Sequence, residues 1–502
     1  MKIATIYSSA ELGIDAPAVS VEAAAVPGLP QTQIVGLPET AVRESKDRVK
    51  AAIQASGFEY PSQRITVNLA PADLPKSSGR YDLAIAIAIL VASQQIEPDH
   101  LERFEFLGEL SLTGGLRGVR GVLPAISRCR LNGRRLIVPA DNEDEAGLDN
   151  HKMTLIALSL LSVVNHLCGT KLLSEPRTRT TNQTGKRPLL SDVRGQAGAK
   201  RALSIAASGG HNLLMVGPPG TGKTMLASRL AGLMPDMSTS EAMTVASIVS
   251  VSKQPFDDQR FRRRPFRAPH HSASAVAIAG GGNPPRPGEI SLAHLGVLFL
   301  DELPEFARHV LEVLREPLES GEIWISRAGH QVRYPARFQL IAAMNPCPCG
   351  YSTDPRRECE CTADQIWRYR SRVSGPLLDR IDMHIDVPPL APGEVARANS
   401  NTVEHEKDNV EDIISGARGK MLSRQGGINA DLTNQQVREH CQISMSDARF
   451  LDLCSDKLGL STRAYFKILK VARTIADMSE DADISRQHLT EAVSYRKMDR
   501  SG

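Results

Sequence analysis

Apolar positions fall into distinct textures along the chain. Residues 1–173 alternate short β-like runs, such as RITVNLAP from Arg64 and RRLIVPA from Arg134, with helical ones. DLAIAIAIL, from Asp82 to Leu90, is apolar all round; its Ile/Ala alternation reads as a strand, but its alanine content favours a buried helix. SEPRTRTTNQTGKRP, residues 174–188, is polar, charged and proline-flanked, which predicts a linker. From Asp192 the pattern becomes apolar strand, glycine loop and Ala/Leu-rich helix in HNLLMVGPPGTGKTMLASRLAGLM, the entry to an α/β nucleotide-binding domain over 189–392. Prolines after IDMHIDV end the sheet pattern, and helical periodicity takes over, so residues 393–502 are expected to form a helical lid.

Composition narrows this picture only slightly. Net charge is +3 and charged residues make up 23% of the chain, so any nucleic-acid contact must come from local patches. No stretch approaches the roughly 18 apolar residues of a membrane span, and the N-terminus lacks an apolar leader core, so a cytoplasmic protein is expected. Eight cysteines are too few for a disulfide framework, yet four crowd between Cys347 and Cys361.

The motifs carry the chemistry. In GPPGTGKT, the residues Gly217, Pro218, Pro219, Gly220, Thr221, Gly222, Lys223 and Thr224 form a phosphate-binding loop between a strand and a helix. Its backbone N–H groups surround phosphates, Lys223 reaches the β and γ oxygens, and Thr224 ligates Mg²⁺. In GVLFLDEL an apolar strand ends in Asp301, placed to hold the Mg²⁺ shell, and Glu302, placed to deprotonate the attacking water. Asn345 ends the strand FQLIAAMN, where it is expected to position that water. ATP and Mg²⁺ are therefore the expected cofactors.

Arg380 in SGPLLDRIDMHIDV resembles the arginine finger that ring ATPases give to a neighbour's γ-phosphate, and Arg463 in LSTRAYFKILKVARTIADM resembles a second sensor, with Arg473 as the less favoured candidate. Together with FRAPHHSASAVAIAGGGNPPRPGEISLAHLGVLFLDELPEF and ISRAGHQVRYPARFQLIAAMNPCPCG, these stretches resemble the ComM/YifB family of magnesium-chelatase-like AAA+ proteins over nearly the whole chain. That resemblance implies a hexameric ATP-driven DNA helicase that promotes branch migration in natural transformation and homologous recombination, with single-stranded and branched DNA, other copies of itself and recombination proteins as partners. A chelatase-type motor acting on a protein partner without DNA is the alternative, and a ring remodeller of protein partners a third reading.

The front of the chain resembles a Lon protease domain (ribosomal S5 domain 2-like, α+β) through PKSSGRYDLAIAIAIL. Aligning Pro75 and Lys76 on the proline-lysine turn of Lon puts Arg80 or Tyr81 where the nucleophile should be, with Ser77 and Ser78 too early, and GELSLTGGLRGVRGVLPAISRCR contains no partner lysine. A serine without a base is a poor nucleophile, so no protease is expected.

For DNA, the Gly/Pro-rich insert at Ser272 to Gly288, placed by resemblance as the helix-two insert, carries Arg286, and the predicted hairpin GEIWISRAGHQVRYP carries Arg327, His330 and Arg333. QRFRRRPFR, Gln259 to Arg267, suits either phosphate contact or interface ion pairs. Cys347, Cys349, Cys359 and Cys361 suit a closed tetrahedral Zn²⁺ site, with an iron–sulfur cluster or unligated thiols as alternatives. Cys129, Cys168, Cys441 and Cys454 are expected to be buried or inert.

Overall fold

The computed structural model describes residues 3–177, with breaks at 37–38, 40–41, 43, 75, 77 and 150, then 188–390 without 328–329, and 407–496. Most of the linker read at 174–188 lies outside these residues. Its first residue, Ser174, still bridges to Ile156 at a sheet edge.

The front of the chain is built on β1 (Ile3–Ser9), β2 (Ala18–Val26), β3 (Gln31–Val35), β4 (Arg64–Ala70), β5 (Phe104–Phe106), β6 (Arg135–Pro139) and β7 (Thr154–Ala157), ordered β3-β4-β2-β1-β5-β6-β7. Buried residues alternate along β1, β2 and β4, so one face of this sheet meets a core. Helix α1 (Asp82–Ala92) fills that core, with all eleven of its residues buried. Alanine at every second position lets this apolar run coil, and isoleucines and leucines on its other positions pack all round. Asp82 at its first turn accepts from Arg48 Nε at 2.9 Å and from the Leu110 N–H at 3.3 Å. Helix α2 (Val122–Leu131) closes the side toward the second domain.

That second domain is introduced by α3 (Ala197–Gly209) and β8 (Leu213–Val216), followed by α4 (Lys223–Leu233) and α5 (Thr239–Ser250). Its sheet continues through β9 (Phe266–Arg267) and β10 (Val297–Leu300). The short helix α6 (Pro317–Ser320) leads to the hairpin β11 (Glu322–Arg327) and β12 (His330–Pro335), and then come β13 (Gln339–Met344) and β14 (Met383–Asp386). The sheet order is β9-β10-β13-β8-β14, with every neighbouring pair parallel. Leu213, Met215, Ile341 and Ala343 face one core, while Leu214, Val216, Leu340 and Ala342 face the other. Both faces of a parallel sheet are covered, which is why these strands read as unbroken apolar runs.

Helices Lys407–Gln425 (α7) and Thr462–Met478 (α8) lead the C-terminal helical bundle, which shares the first of those cores with α3. Arg418 of α7 donates from Nε and Nη2 to the Ala207 carbonyl of α3 at 2.9 and 2.6 Å, and Thr474 of α8 meets His211 Nε2 at 2.8 Å. Among the described residues, the front domain meets the second one beside α5 and at the hairpin. The Gly121 N–H donates to the Ser250 carbonyl at the end of α5 (2.9 Å), and Leu12 and Ile14 pack on the core that holds Ile323, Ile325 and Val332 of the hairpin. The expected architecture, an α+β front, a parallel-sheet P-loop domain and C-terminal helices, is the one observed.

Candidate functional site

In a parallel α/β sheet, ligands are met at the carboxyl ends of the strands. Register sets three such ends side by side here, because Val216 of β8 pairs with Met344 of β13, and Leu300 of β10 with Ala342 of β13. The loop 217–224 therefore leaves the sheet beside Asn345, with Asp301 and Glu302 one strand further on.

Gly217 starts the loop where a side chain has no room: a Cβ would lie 2.2 Å from the Val387 carbonyl oxygen just past β14. Lys223 opens α4 and is buried, and its Nζ donates to the carbonyls of Gly217 (2.7 Å) and Pro218 (2.9 Å) and to Asn345 Oδ1 (3.3 Å). Burial lowers its pKa, opposed by Asp301 and Glu302. The Thr224 hydroxyl donates to Asp301 Oδ2 at 2.7 Å, so the hydroxyl and carboxylate read as Mg²⁺ ligands already meet, and their hard oxygens suit that ion. Glu302 stands in a left-handed backbone conformation, φ +52°, which turns its carboxylate out of the strand line. There it meets His271 Nδ1 at 3.0 Å, and His271 lies against His270 with ring centroids 4.0 Å apart and the rings tilted by 35°. Sequence reasoning did not single out His271, although it lies within the APHH of the quoted run; nothing local marks it as a partner of a residue thirty-one positions on.

The four-cysteine loop follows Asn345 directly and packs back on the phosphate loop. Gly350 has φ +88°, and a Cβ on it would lie 2.8 Å from Pro219 Cδ. The Sγ atoms of Cys347, Cys349, Cys359 and Cys361 all lie within 4.8 Å of one another, with Cys347–Cys349, Cys347–Cys359 and Cys349–Cys359 separations of 3.3, 3.7 and 3.6 Å. Four thiolates about 2.3 Å from one Zn²⁺ would stand about 3.8 Å apart at the corners of a tetrahedron, so this donor set fits a single ion. The N–H groups of Ser352 and Cys349 donate to Cys347 Sγ and Cys361 Sγ (3.3 and 3.4 Å), which fixes two of the four sulfurs in place. Among the remaining cysteines, Cys129 and Cys441 are buried and Cys454 is intermediate, but Cys168 is exposed, because it caps the last helix of the front domain at its surface.

Arg380 and Arg463 do not join the phosphate loop of their own chain. They meet each other across a polar cleft of about 670 Å³, lined by α6, by the approach to β14 and by α8, and no residue of 217–224 lines it. Glu319 of α6 binds both arginines. Arg473 is buried inside the bundle, donating to Asp477 and to the carbonyls of Asp481 and Ala482.

The DNA candidates sit on two small hairpins. Arg286 lies in the short strand Arg286–Pro287 paired with Gly280–Gly281, which follows a helix at Ala275–Ala279, so the insert read as a loop is partly ordered. Arg333 on β12 is exposed and pairs with Glu322 at 3.2 Å. The side chains of Arg327 and His330 lie outside the described residues. Opposite Arg333 in the register stands Trp324, 48% exposed, an aromatic face that the charge-based reading missed. The Gln259–Arg267 cluster is committed internally: Arg260 pairs with Asp257, Arg262 and Arg264 donate to backbone carbonyls, Arg267 forks onto Glu289, and Arg263 is also engaged. These contacts lie within the chain itself, an internal bracing distinct from both the phosphate contacts and the interface ion pairs expected from the sequence.

At the Lon-like turn, Lys76 is buried and its ammonium donates to the carbonyls of Gly36, Pro71 and Leu74. Arg80 is buried against Ser9 Oγ at 3.4 Å, and Tyr81 is buried beside it. Ser77 lies outside the described residues. A buried arginine and a buried tyrosine thus stand at the aligned nucleophile positions, where Lon has a serine. No helix among the described residues is long and apolar enough to cross a membrane.

Comparison with known proteins agrees with this geometry. Residues 189–395 match the family described as magnesium chelatase, subunit ChlI; residues 21–142 match subunit ChlI of Mg-chelatase; residues 404–496 match the ChlI C-terminal family. The chain is 50% identical to the competence protein ComM of Haemophilus influenzae over 99% of this chain and 98% of that one. It is 49% identical to the uncharacterized protein YifB of Escherichia coli over 100% and 98%. The magnesium-chelatase 38 kDa subunit of Cereibacter sphaeroides is 25% identical, over 62% of this chain and 92% of its own. Full-length identity near one half and a phosphate loop set beside an acidic strand end place the chain in the ComM/YifB family of magnesium-chelatase-like AAA+ ATPases.

Proposed function

We propose that this chain is an ATP-driven DNA motor that assembles as a ring, a hexamer in our reading, and drives branch migration of DNA during uptake-linked recombination in the cytoplasm. The observation that carries the DNA reading is the end-to-end match to a competence protein, whereas a chelatase subunit accounts for only 62% of the chain. In this reading Lys223 and the backbone of 217–224 bind the triphosphate, and Thr224 and Asp301 hold Mg²⁺. Glu302 takes the proton of the attacking water, and Asn345, already hydrogen-bonded to Lys223, orients that water. Mg²⁺ supplies charge neutralisation at the phosphates. Zn²⁺ held by Cys347, Cys349, Cys359 and Cys361 is structural, since all four positions of a tetrahedron are filled by protein.

Arg380 and Arg463 line a cleft to which their own phosphate loop contributes no residue, which supports their acting on the nucleotide of a neighbouring copy. A lone subunit is then incomplete, and turnover rises with assembly. Arg286 and Arg333, with Arg327 and His330, contact DNA in the ring's channel, where repetition around the ring multiplies a weak charge. The Lon-like domain of residues 1–173 serves as a collar, 174–188 as a linker and 393–502 as the lid.

The test is ATP hydrolysis by the purified protein with and without single-stranded and forked DNA, with Lys223→Ala as blank. Stimulation by DNA is expected; active basal hydrolysis with no response to either DNA would refute the DNA motor in favour of a protein or metal-insertion client.

A further inference from the structure

The cleft that holds Arg380 and Arg463 contains other contacts in which one Lys or Arg meets one acceptor. Lys467 has Asp382 at 2.8 Å, Arg337 has Asp431 at 3.5 Å, and Lys470 donates to the Ala430 carbonyl at 2.9 Å. Glu319 is different. Its Oε1 accepts from Arg380 Nη2 at 2.7 Å and from Arg463 Nη2 at 2.6 Å, so two guanidinium groups from different domains converge on one oxygen.

Two like charges held so near each other repel unless an anion lies between them. Arg380 has one further hold, from Nη1 to the Pro376 carbonyl at 2.6 Å, and its side chain is only 11% exposed. Arg463 is 44% exposed, and Glu319 supplies the contact that draws its head toward Arg380. The other acids of the cleft, Asp382 and Asp431, are already paired with Lys467 and Arg337, so without that carboxylate Arg463 loses the contact that holds its head near Arg380. Glu319 is itself fixed at the base of the hairpin: Gly321 caps α6, and its carbonyl accepts from the Ala336 N–H at 2.8 Å.

We propose that Glu319 is a positioning residue for the ATPase reaction, which gathers Arg380 and Arg463 into one two-pronged clamp for the terminal phosphate of a nucleotide bound by a neighbouring copy. The proposal rests on the trans reading of Arg380. The carboxylate oxygen marks the point at which both arginines can share an anion, and a phosphate oxygen is the anion of matching geometry. Holding the two heads ready before the phosphate arrives removes the cost of ordering them at the moment of reaction.

The experiment uses the full-length protein at ring-forming concentration. Glu319→Gln removes the charge and is expected to lower kcat about tenfold, the scale of a small misplacement of a catalytic group, while leaving KM for ATP unchanged. Glu319→Asp keeps the charge and is expected to lose less. Mixing Glu319→Gln subunits with Lys223→Ala subunits restores turnover, because the latter carry an intact Glu319 and both arginines but hydrolyse nothing themselves. A purely structural defect would not be rescued in this way.

Arg380→Ala mixed with Lys223→Ala serves as the reference. If that mixture stays inactive, the trans reading fails and takes the proposal with it. If that mixture recovers while Glu319→Gln alone turns over like the parent, or while its loss resists mixing, the trans reading stands and Glu319 has no positioning role.

Discussion

Gly350 lies where the cysteine loop meets the phosphate loop, and Gly350→Ala separates the two roles of that contact. Its φ of +88° is open to glycine and strained for alanine, at a cost of about 1–2 kcal/mol that falls on the cysteine loop itself. The second effect is directional. The new methyl would lie 2.8 Å from Pro219 Cδ and 3.4 Å from its Cγ, inside the loop that binds phosphates, while Asn345 Cγ would be 3.9 Å away at ordinary contact. Overpacking of this kind costs about 1–3 kcal/mol. If Pro219 yields and the cysteine loop does not, that cost appears in nucleotide affinity as a loss of about 5- to 150-fold. The four Sγ atoms are untouched, so zinc content should not change. The assay is titration of a fluorescent ATP analogue, with metal content and thermal unfolding measured on the same preparation. A lowered Tm with unchanged ATP affinity would refute the reasoning, because the strain would then have been absorbed without reaching the phosphate loop.

Glu302→Gln is expected to bind ATP and to hydrolyse it at least about 100-fold more slowly, the usual worth of a positioned base; brisk turnover would remove Glu302 from that role. Trp324→Ala should leave basal ATPase intact and weaken the response to single-stranded DNA, since one base–aromatic stack is worth about 1–3 kcal/mol, and Trp324→Phe should recover most of it. Unchanged DNA response in the alanine variant would argue against a DNA-facing hairpin. Chelation under reducing conditions should release one Zn²⁺ per chain together with four newly reactive thiols, and fewer than four would mean that the cluster read here is not the ligand set. Burial holds His211 and His294 in the neutral form, each with its pKa pushed down to about 4. Because both are depressed below the ordinary histidine value, their contribution to stability is full above about pH 6.5 and is lost as pH falls toward 4. Tm measured across that window should fall with pH, and His294 adds a geometric reason, since its Nδ1 must stay unprotonated to accept from the Arg337 N–H at 3.0 Å. A flat profile would contradict both assignments.

What the sequence determined by itself is what short stretches of chain determine. GPPGTGKT after an apolar strand already specifies a phosphate loop, because the glycines, Lys223 and Thr224 all act within eight consecutive residues. The same holds for the acidic end of GVLFLDEL, for the cysteine spacing and for the hairpin expected in GEIWISRAGHQVRYP. Tertiary structure decided the rest. Lys223 meets Asn345 across 122 positions, and Glu319 meets Arg463 across 144, contacts that only the strand order and the docking of the helical bundle create. His271 becomes a partner of Glu302 because β9 and β10 are neighbours in the sheet. The arginines of Gln259–Arg267 look alike in sequence, yet the fold gives them carbonyls and carboxylates of their own chain. Local chemistry is written in local spacing, but a side chain's partner depends on which distant backbone passes within a few ångströms, and the packing of the whole domain sets that distance.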